Sequence, residues 1–486
     1  MTDPREAARK EIASAAGWSA ADELMLDRAA KHAVAFRRSL GTRPQRPQKS
    51  FGDMRQVFAG PLPAQGRDGV ELVEELVART EPGLSAMAGP RFFGWVIGAS
   101  HPAGVAADWL TSAWGQNAAG HTSTPAAAAC EEIAARWLLE LLELPPECSV
   151  GFVTGATMAN LTCLAAARGE MLRRAGWNAD ADGLFGAPPI QVILGEEAHA
   201  SVFSALQLLG LGHSRLTRVP VDDQGRMEIG AFEAAMARAE GPVIAIAQAG
   251  HVNSGAFDPI GEIAAIGHRR KAWVHVDGAF GLWARACPGT ASLAQGLDAA
   301  DSWATDGHKW LQLPYDCGFA IVRDAEAHRR AMTITASYLP ALSAGDRIPA
   351  DYVPELSRRA RGFPVWAMIQ ALGREGIAQM VARHCRIARR MADALAEEAG
   401  IAVLNRVELN QVVVRFGGDG SSGDSLTRKV IERVQAEGTC FAEGAQWKGR
   451  WIMRLSVSSW YTTEADADRA VAAIVGAWRA IRAGEV

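Results

Sequence analysis

The sequence predicts an α/β protein: a large domain on a mostly parallel sheet, an N-terminal helical arm and a C-terminal α+β small domain. Three observations predict it. From Val150 onward, short apolar runs alternate with helical segments, which is how a parallel sheet covered on both faces is written. The polar residues with chemical potential, Thr157, His199, His251, Asn253, Asp277, His308 and Lys309, fall at or just past the ends of those runs or at helix starts. Ligands collect at the carboxyl ends of strands in such sheets. The flanking stretches lack the alternation, and at 486 residues the chain is long enough for about three modules of roughly 150 residues.

Composition narrows the function classes. With 49% hydrophobic and 21% charged residues and a formal net charge of -4, the chain reads as a globular protein with no obligate nucleic-acid partner. The N-terminus is charged from the start, and no apolar run approaches a membrane span, so a cytoplasmic protein without a membrane partner is expected. The seven cysteines are scattered without CxxC or Cys/His spacing, which argues against zinc and against a disulfide framework. No metal site is expected.

Residues 1–90 form the arm. Helical signals around Ala20 to Leu40 and Gly69 to Thr80 are separated by the proline-rich run from Thr42 to Lys49. Such a segment buries little by itself and is expected to pack on another domain or on a second copy of the chain. Residues 91–362 form the large domain. Arg91 to Ser100 is aromatic and glycine-rich, a core strand or a pocket wall. Thr124 and Pro125 open a long helix with a capping hydroxyl and a first-turn proline, and Pro145 and Pro146 close it. Strands are expected at 191–194, 216–221, 243–248, 272–276, 302–305 and 318–322, with helices near 158–168, 201–209, 231–239 and 260–270. Residues 325–362 show no sustained periodicity and read as a long loop. Residues 363–486 form the small domain, with strands near 409–416 and 451–457 and a last helix capped at Thr462 and Thr463.

Three stretches carry chemistry. Val153 to Thr157 leads into a helix: Gly155 lets backbone amides approach a ligand, and the helix start offers N–H groups to an anion. An ordinary cap or a nucleotide pyrophosphate fits that signal as well, although neither GxGxxG nor GxxxxGK[ST] is present. Asp277 ends a β-branched strand before Gly278 and Ala279, small residues that leave room for a flat ligand. A carboxylate half-buried there needs a cation, such as a protonated ring nitrogen; an Asp-Gly turn is the plain alternative. Lys309 lies between His308 and Trp310, beyond the apolar Trp303 and Ala304, in a chain with only seven lysines. Desolvation at such a place disfavours the ammonium form and suits Schiff-base chemistry, whereas a surface lysine at a strand end would only snorkel.

Together, His275-Val-Asp-Gly-Ala279, Gly307-His-Lys-Trp310 with Asp316-Cys317 beyond it, Gly255-Ala-Phe-Asp258, Ser357-Arg-Arg-Ala-Arg361, and Gly155-Ala-Thr157 before Asn160-Leu closely resemble the group II pyridoxal-phosphate-dependent amino-acid decarboxylases. That family includes aromatic amino-acid, histidine and glutamate decarboxylases. The resemblance runs from about Pro90 to Trp366. It implies fold-type I, pyridoxal 5'-phosphate as cofactor, and a homodimer with the active site at the subunit interface. It implies that Lys309 carries the cofactor, that Asp277 pairs with the pyridinium nitrogen, and that His199 stacks on the ring. Ala156, Thr157 and His308 would bind the phosphate and Ala279 would pack on the ring, with Gly155, Asn253 and Asp306 completing the cofactor set. Trp95, Val96 and Gly98 match substrate-pocket positions. Residues 325–356 match a loop that closes over the substrate, and in this family a loop tyrosine supports protonation of the α-carbon. Tyr352 fits by its distance to the arginine motif, with Tyr338 in reserve.

The chain departs from the family pattern at Asp306, where many members have asparagine, and at His251 and Asn253. The wall at Trp95 and Val96 is apolar and shows no obvious arginine, so the expected reaction is loss of carbon dioxide from an aromatic or bulky apolar L-amino acid, giving the amine. Other pyridoxal reactions (aldehyde synthesis, carbon–carbon lysis, transamination), a nucleotide-binding oxidoreductase and a catalytically silent binding homologue are the competing readings.

Overall fold

The computed structural model describes residues 17–333 and 347–484. Its centre is a seven-stranded sheet in the order β1 (Ser149–Val153), β7 (Gly318–Val322), β6 (Ser302–Asp306), β5 (Trp273–Asp277), β4 (Val243–Gln248), β2 (Gln191–Gly195), β3 (Thr217–Val219). From β6 to β3 all neighbours are parallel, while β7 runs antiparallel to both β6 and β1. Two antiparallel steps leave β1 parallel to β6, so β1, β2, β4, β5 and β6 end at the same edge. β1 has no counterpart among the strands expected from the sequence.

Period-two geometry explains why these strands are apolar throughout. On β4, Ala245 and Ala247 face one core, and Ile244 and Ile246 face the other; β7 divides Phe319 and Ile321 from Ala320 and Val322 in the same way. Helix Ala156–Arg174 covers the second face with Ala159, Cys163, Ala166 and Ala167, whose small side chains let it lie close to the sheet. Helices Ile229–Arg238 and Ile260–Arg269 cover the first.

The small domain is an antiparallel sheet, β10 (Glu443–Trp447), β11 (Arg450–Ser456), β9 (Gln411–Phe416), β8 (Ile401–Val403), backed by helices Ser421–Glu437 and Glu464–Ala483. Helix Gly362–Ala396 joins the two halves and kinks at Gly373, where φ is 61°. Val365 to Cys385 pack into the large core and Ile387 to Leu395 into the small one, so the passage between cores falls inside the helix rather than at its start near residue 363. Residues 92–93 are joined to the small domain: Phe93 donates its N–H to the Phe441 carbonyl and accepts from the Ser456 amide.

Two local expectations change. Thr124 makes no side-chain cap; its hydroxyl donates instead to the carbonyls of Asn117 and Gly120. The stretch read as one long loop contains helix Ala325–Met332, capped by Asp324, because an eight-residue helix with two arginines in its last turn leaves too short a period to detect. The Thr463 cap is present as a full capping box with Asp466. In the arm, helices Ala20–Ser39 and Gly69–Thr80 contain no buried residue.

Candidate active site

The site begins where β6 stops. After Asp306 the chain turns back tightly, and the amides of Gly307 and His308 both donate to the Cys317 carbonyl on β7's approach. This turn presents Lys309, whose amine lies 2.9 Å from Asp306 Oδ2. The other carboxylate oxygen of Asp306 accepts from the Ala156 amide at 2.6 Å, at the first turn of helix Ala156–Arg174. The lysine therefore has a carboxylate partner instead of the apolar slot expected for it. The helix start and the lysine turn share one carboxylate.

Gly155 is needed between them. A Cβ there would stand 3.0 Å from His308 Cε1 and 3.3 Å from Asp306 Oδ1. His308 Nδ1 accepts from the Cys317 amide, and its Nε2 faces Asp306 Oδ1 at 3.4 Å. Burial holds its pKa below the ordinary value, which disfavours the charged ring. Thr157 is exposed on the next helical position. Gly98 does not line the cavity as expected: its amide donates to the His308 carbonyl, and any side chain would overlap the Lys309 carbonyl. It holds the lysine turn from outside.

Asp277, 3% exposed at the end of β5, accepts from Asn160 Nδ2 and from the Ala279 amide, each at 3.2 Å. Behind it a chain of bonds runs into the core. Asn160 Oδ1 accepts from His275 Nε2 at 2.8 Å, His275 Nδ1 accepts from the Ser302 hydroxyl, and Ser302 accepts from Trp273 Nε1. Burial pushes the His275 pKa down to about 3, consistent with a neutral ring that donates at one nitrogen and accepts at the other. Asn160 also donates to Ser201, whose hydroxyl meets His199 Nδ1 at 2.8 Å. One asparagine orients both the aspartate and the histidine.

Lys309, Asp277, His199, Ala279, Trp95 and Val96 line one cavity of about 210 Å³. Two further polar residues enter it that sequence reasoning missed. Gln248 is the last residue of β4, in register with Asp277. Arg454, on β11, reaches across from the small domain; it donates to Asn253 Oδ1 at 2.9 Å, and its buried Nε has no hydrogen-bond partner among the described residues. Desolvation lowers its pKa. The sequence reading found no arginine on this wall because Arg454 lies 145 positions after Lys309, on another domain, in a strand whose pattern reads simply as sheet. Asn253 touches the site through that arginine.

Tyr352 is not brought there. Its ring packs edge-on against buried His328 at 5.2 Å and under the Arg347 guanidinium, beside β1, and it is not among the residues lining the cavity. Tyr338 lies outside the described residues. No cluster of three or more His, Cys, Asp or Glu suited to a metal occurs among the described residues.

An amine and a carboxylate facing one cavity, a histidine beside them and a glycine-lined helix start define the class: a fold-type I pyridoxal-phosphate enzyme. The model of the pyridoxal-dependent decarboxylase conserved domain matches residues 52–417, and the chain belongs to that family. It is 26% identical over 423 residues to an aromatic-L-amino-acid decarboxylase of Bacillus atrophaeus, covering 85% of this chain and 86% of the relative. It is 28% identical over 418 residues to tryptophan decarboxylase 1 of Oryza sativa subsp. japonica, covering 80% of each. The crystal structure of Oryza sativa TDC with PLP and tryptamine superposes with a TM-score of 0.89 at 24% identity, over 95% of this chain and 99% of that one. The protein is thus a pyridoxal-phosphate-dependent carboxy-lyase acting on amino acids. The residues present fit the cofactor: the cavity joins the amine to the carboxylate, and the cradle at Gly155 is kept open by the absence of a Cβ.

Proposed function

We propose that the enzyme decarboxylates an aromatic or bulky apolar L-amino acid to the amine and carbon dioxide. The observation that carries this reading is the wall of Trp95, Val96 and Phe280 on the cavity that Lys309 and Asp277 share. In it Lys309 carries the cofactor, Asp277 holds the ring nitrogen protonated, and His199 and Ala279 flank the ring. Gly155, Ala156, Thr157, Asp306 and His308 surround the phosphate. When bound, the cofactor supplies an electron sink for the charge left on the α-carbon. Arg454, oriented by Asn253, is available to a substrate carboxylate. Every α-amino acid has one, so this arginine orients the substrate without requiring an acidic side chain.

Tyr338, in the loop that the family resemblance assigns to closure, is the proton donor to the α-carbon in this reading, since Tyr352 is committed to His328 and Arg347. Aldehyde formation is the second reading, favoured by 24% identity over 452 residues to 4-hydroxyphenylacetaldehyde synthase of Rhodiola rosea, covering 89% of this chain and 90% of the relative. A panel of L-amino acids with carbon dioxide release and product identification tests both. Amine from tryptophan, tyrosine or phenylalanine is expected; turnover of glutamate or aspartate alone overturns the substrate assignment, and aldehyde as the main product overturns the reaction.

The working unit is a homodimer. Leu24, Leu26 and Val34 of helix Ala20–Ser39, Leu72 and Leu76 of helix Gly69–Thr80, and Trp109, Leu110 and Trp114 of helix Pro102–Trp114 are all exposed in the single chain, and clustered exposed apolar side chains of this kind mark an interaction surface. A second copy covers it, which light scattering of the purified protein measures. No helix among the described residues is long and apolar enough to cross a membrane. Seven unpaired cysteines fit a reducing, cytoplasmic setting.

A further inference from the structure

The cradle assigned to the phosphate already contains a negative charge of the chain's own. Asp306 is 2% exposed, and its carboxylate takes the Ala156 amide, the N–H group that an incoming phosphate oxygen would need. Around it the cationic charge is limited. Among the described residues of one chain, Lys309 is its one close cation, at 2.9 Å. His308, 3.4 Å away, is held below the ordinary histidine pKa by burial, which disfavours its charged form. Beyond His308, Asp316 is paired with Arg361 at 2.9 Å and the Tyr315 ring packs tilted against the imidazole at 4.5 Å. Cys317, on the adjoining turn, is a buried thiol whose pKa is pushed up by burial, and His199 and Asp277 face the cavity on the far side of the lysine. A phosphate monoester brings a charge of about −1.5 to −2 at neutral pH. One ammonium and a helix N-terminus worth about half a unit charge cannot balance that together with a carboxylate.

We propose that a phosphate monoester enters this cradle together with one proton, taken from solvent and shared between the Asp306 carboxyl group and a phosphate oxygen, so that loading of the site is proton-linked. Only an O–H bond is made. Asp306 then becomes the donor that an asparagine would supply without titrating. The inference rests on the proposed cofactor site and goes beyond it, because it assigns this chain a pH-dependent cofactor affinity that an asparagine at the same position lacks.

The probe is pyridoxine 5'-phosphate, which carries the phosphate but no aldehyde to react with Lys309. It is titrated by calorimetry into the full chain freed of cofactor, in two buffers of different ionisation enthalpy, from about pH 7 to about pH 8.5, above the ordinary second phosphate pKa of about 6. The wild-type protein is expected to take up about one more proton per ligand than Asp306→Asn. Its affinity should fall about tenfold per pH unit, while that of Asp306→Asn stays level and is at least about tenfold tighter at the alkaline end. Asparagine keeps the acceptor for the Ala156 amide, so the turn is retained. Equal proton counts and equal pH slopes in the two proteins overturn the proposal. Absence of binding in both, with no visible absorption on adding pyridoxal phosphate itself, overturns the cofactor site beneath it.

Discussion

At the scale of single residues, Lys309 and Asp277 act at two ends of one cavity, and their environments differ in kind. Lys309 is tied to a carboxylate, whereas Asp277 is held by two neutral donors, Asn160 and the Ala279 amide. Lys309→Ala is expected to abolish carbon dioxide release while leaving the circular-dichroism spectrum native. Asp277→Asn keeps the shape and removes the charge. Losing one partner of a buried pair costs about 3–5 kcal/mol, so its turnover should fall by at least about a hundredfold; a smaller loss would place the ring elsewhere. These two residues were legible in the sequence because strand ends are, and because lysine is scarce in this chain. Asn160, which positions Asp277 and His199 together, stood in a quoted motif without a role, since a helix-face asparagine shows its partners only once helix and sheet are docked.

At the scale of elements, the Ser357 to Arg361 motif acquires a physical meaning. Arg358 makes a two-pronged pair with Glu131 at 2.8 and 2.9 Å, both side chains 1% exposed. Arg359 takes Asp108 on helix Pro102–Trp114, and Arg361 takes Asp316 next to the lysine turn. The three arginines of this short motif thus pin three separate elements around the end of β1. Glu131→Ala leaves Arg358 buried with its bidentate partner removed, with Arg347 also losing a contact at 3.3 Å. The expected destabilisation is about 3–5 kcal/mol by urea unfolding; a change below about 1 kcal/mol would mean that water reaches the guanidinium. The motif was readable as a family mark, but its pairing was not, because Glu131 lies 227 residues before Arg358.

At the scale of the whole molecule, burial of three histidines sets the response to acid. His275, His328 and His384 each have a pKa pushed down to about 3 by desolvation, against an ordinary 6.5. The unfolded chain takes up these protons near pH 6.5 and the folded one does not until about pH 3. Their contribution is therefore complete above about pH 6.5 and is lost as pH falls towards 3, by about 1.4 kcal/mol per pH unit for each. Asp258, pushed up to about 6 by burial, works in the opposite sense between about pH 6 and pH 4. The net of two protons from these four groups alone predicts a loss of about 3 kcal/mol per pH unit in that window. Urea midpoints at pH 7 and pH 5 check it, and an unchanged midpoint would show that these rings protonate without unfolding.

The sequence alone determined the α/β class and the strands from β2 to β7, and it singled out Lys309 and Asp277, which the fold brings to one cavity. Each of these depends on local periodicity or on a residue type at a strand terminus. Tertiary structure decided the rest. It added β1 and turned β7 against its neighbours, brought Arg454 from the small domain onto a wall that had seemed to lack an arginine, moved Gly98 behind the lysine and Tyr352 to the sheet edge, and set Asp306 between the helix start and Lys309. The physical reason is that contacts between side chains, many of them carried on separate elements far apart in the sequence, leave no periodic trace along the chain, and become visible only when both partners have been brought to one place.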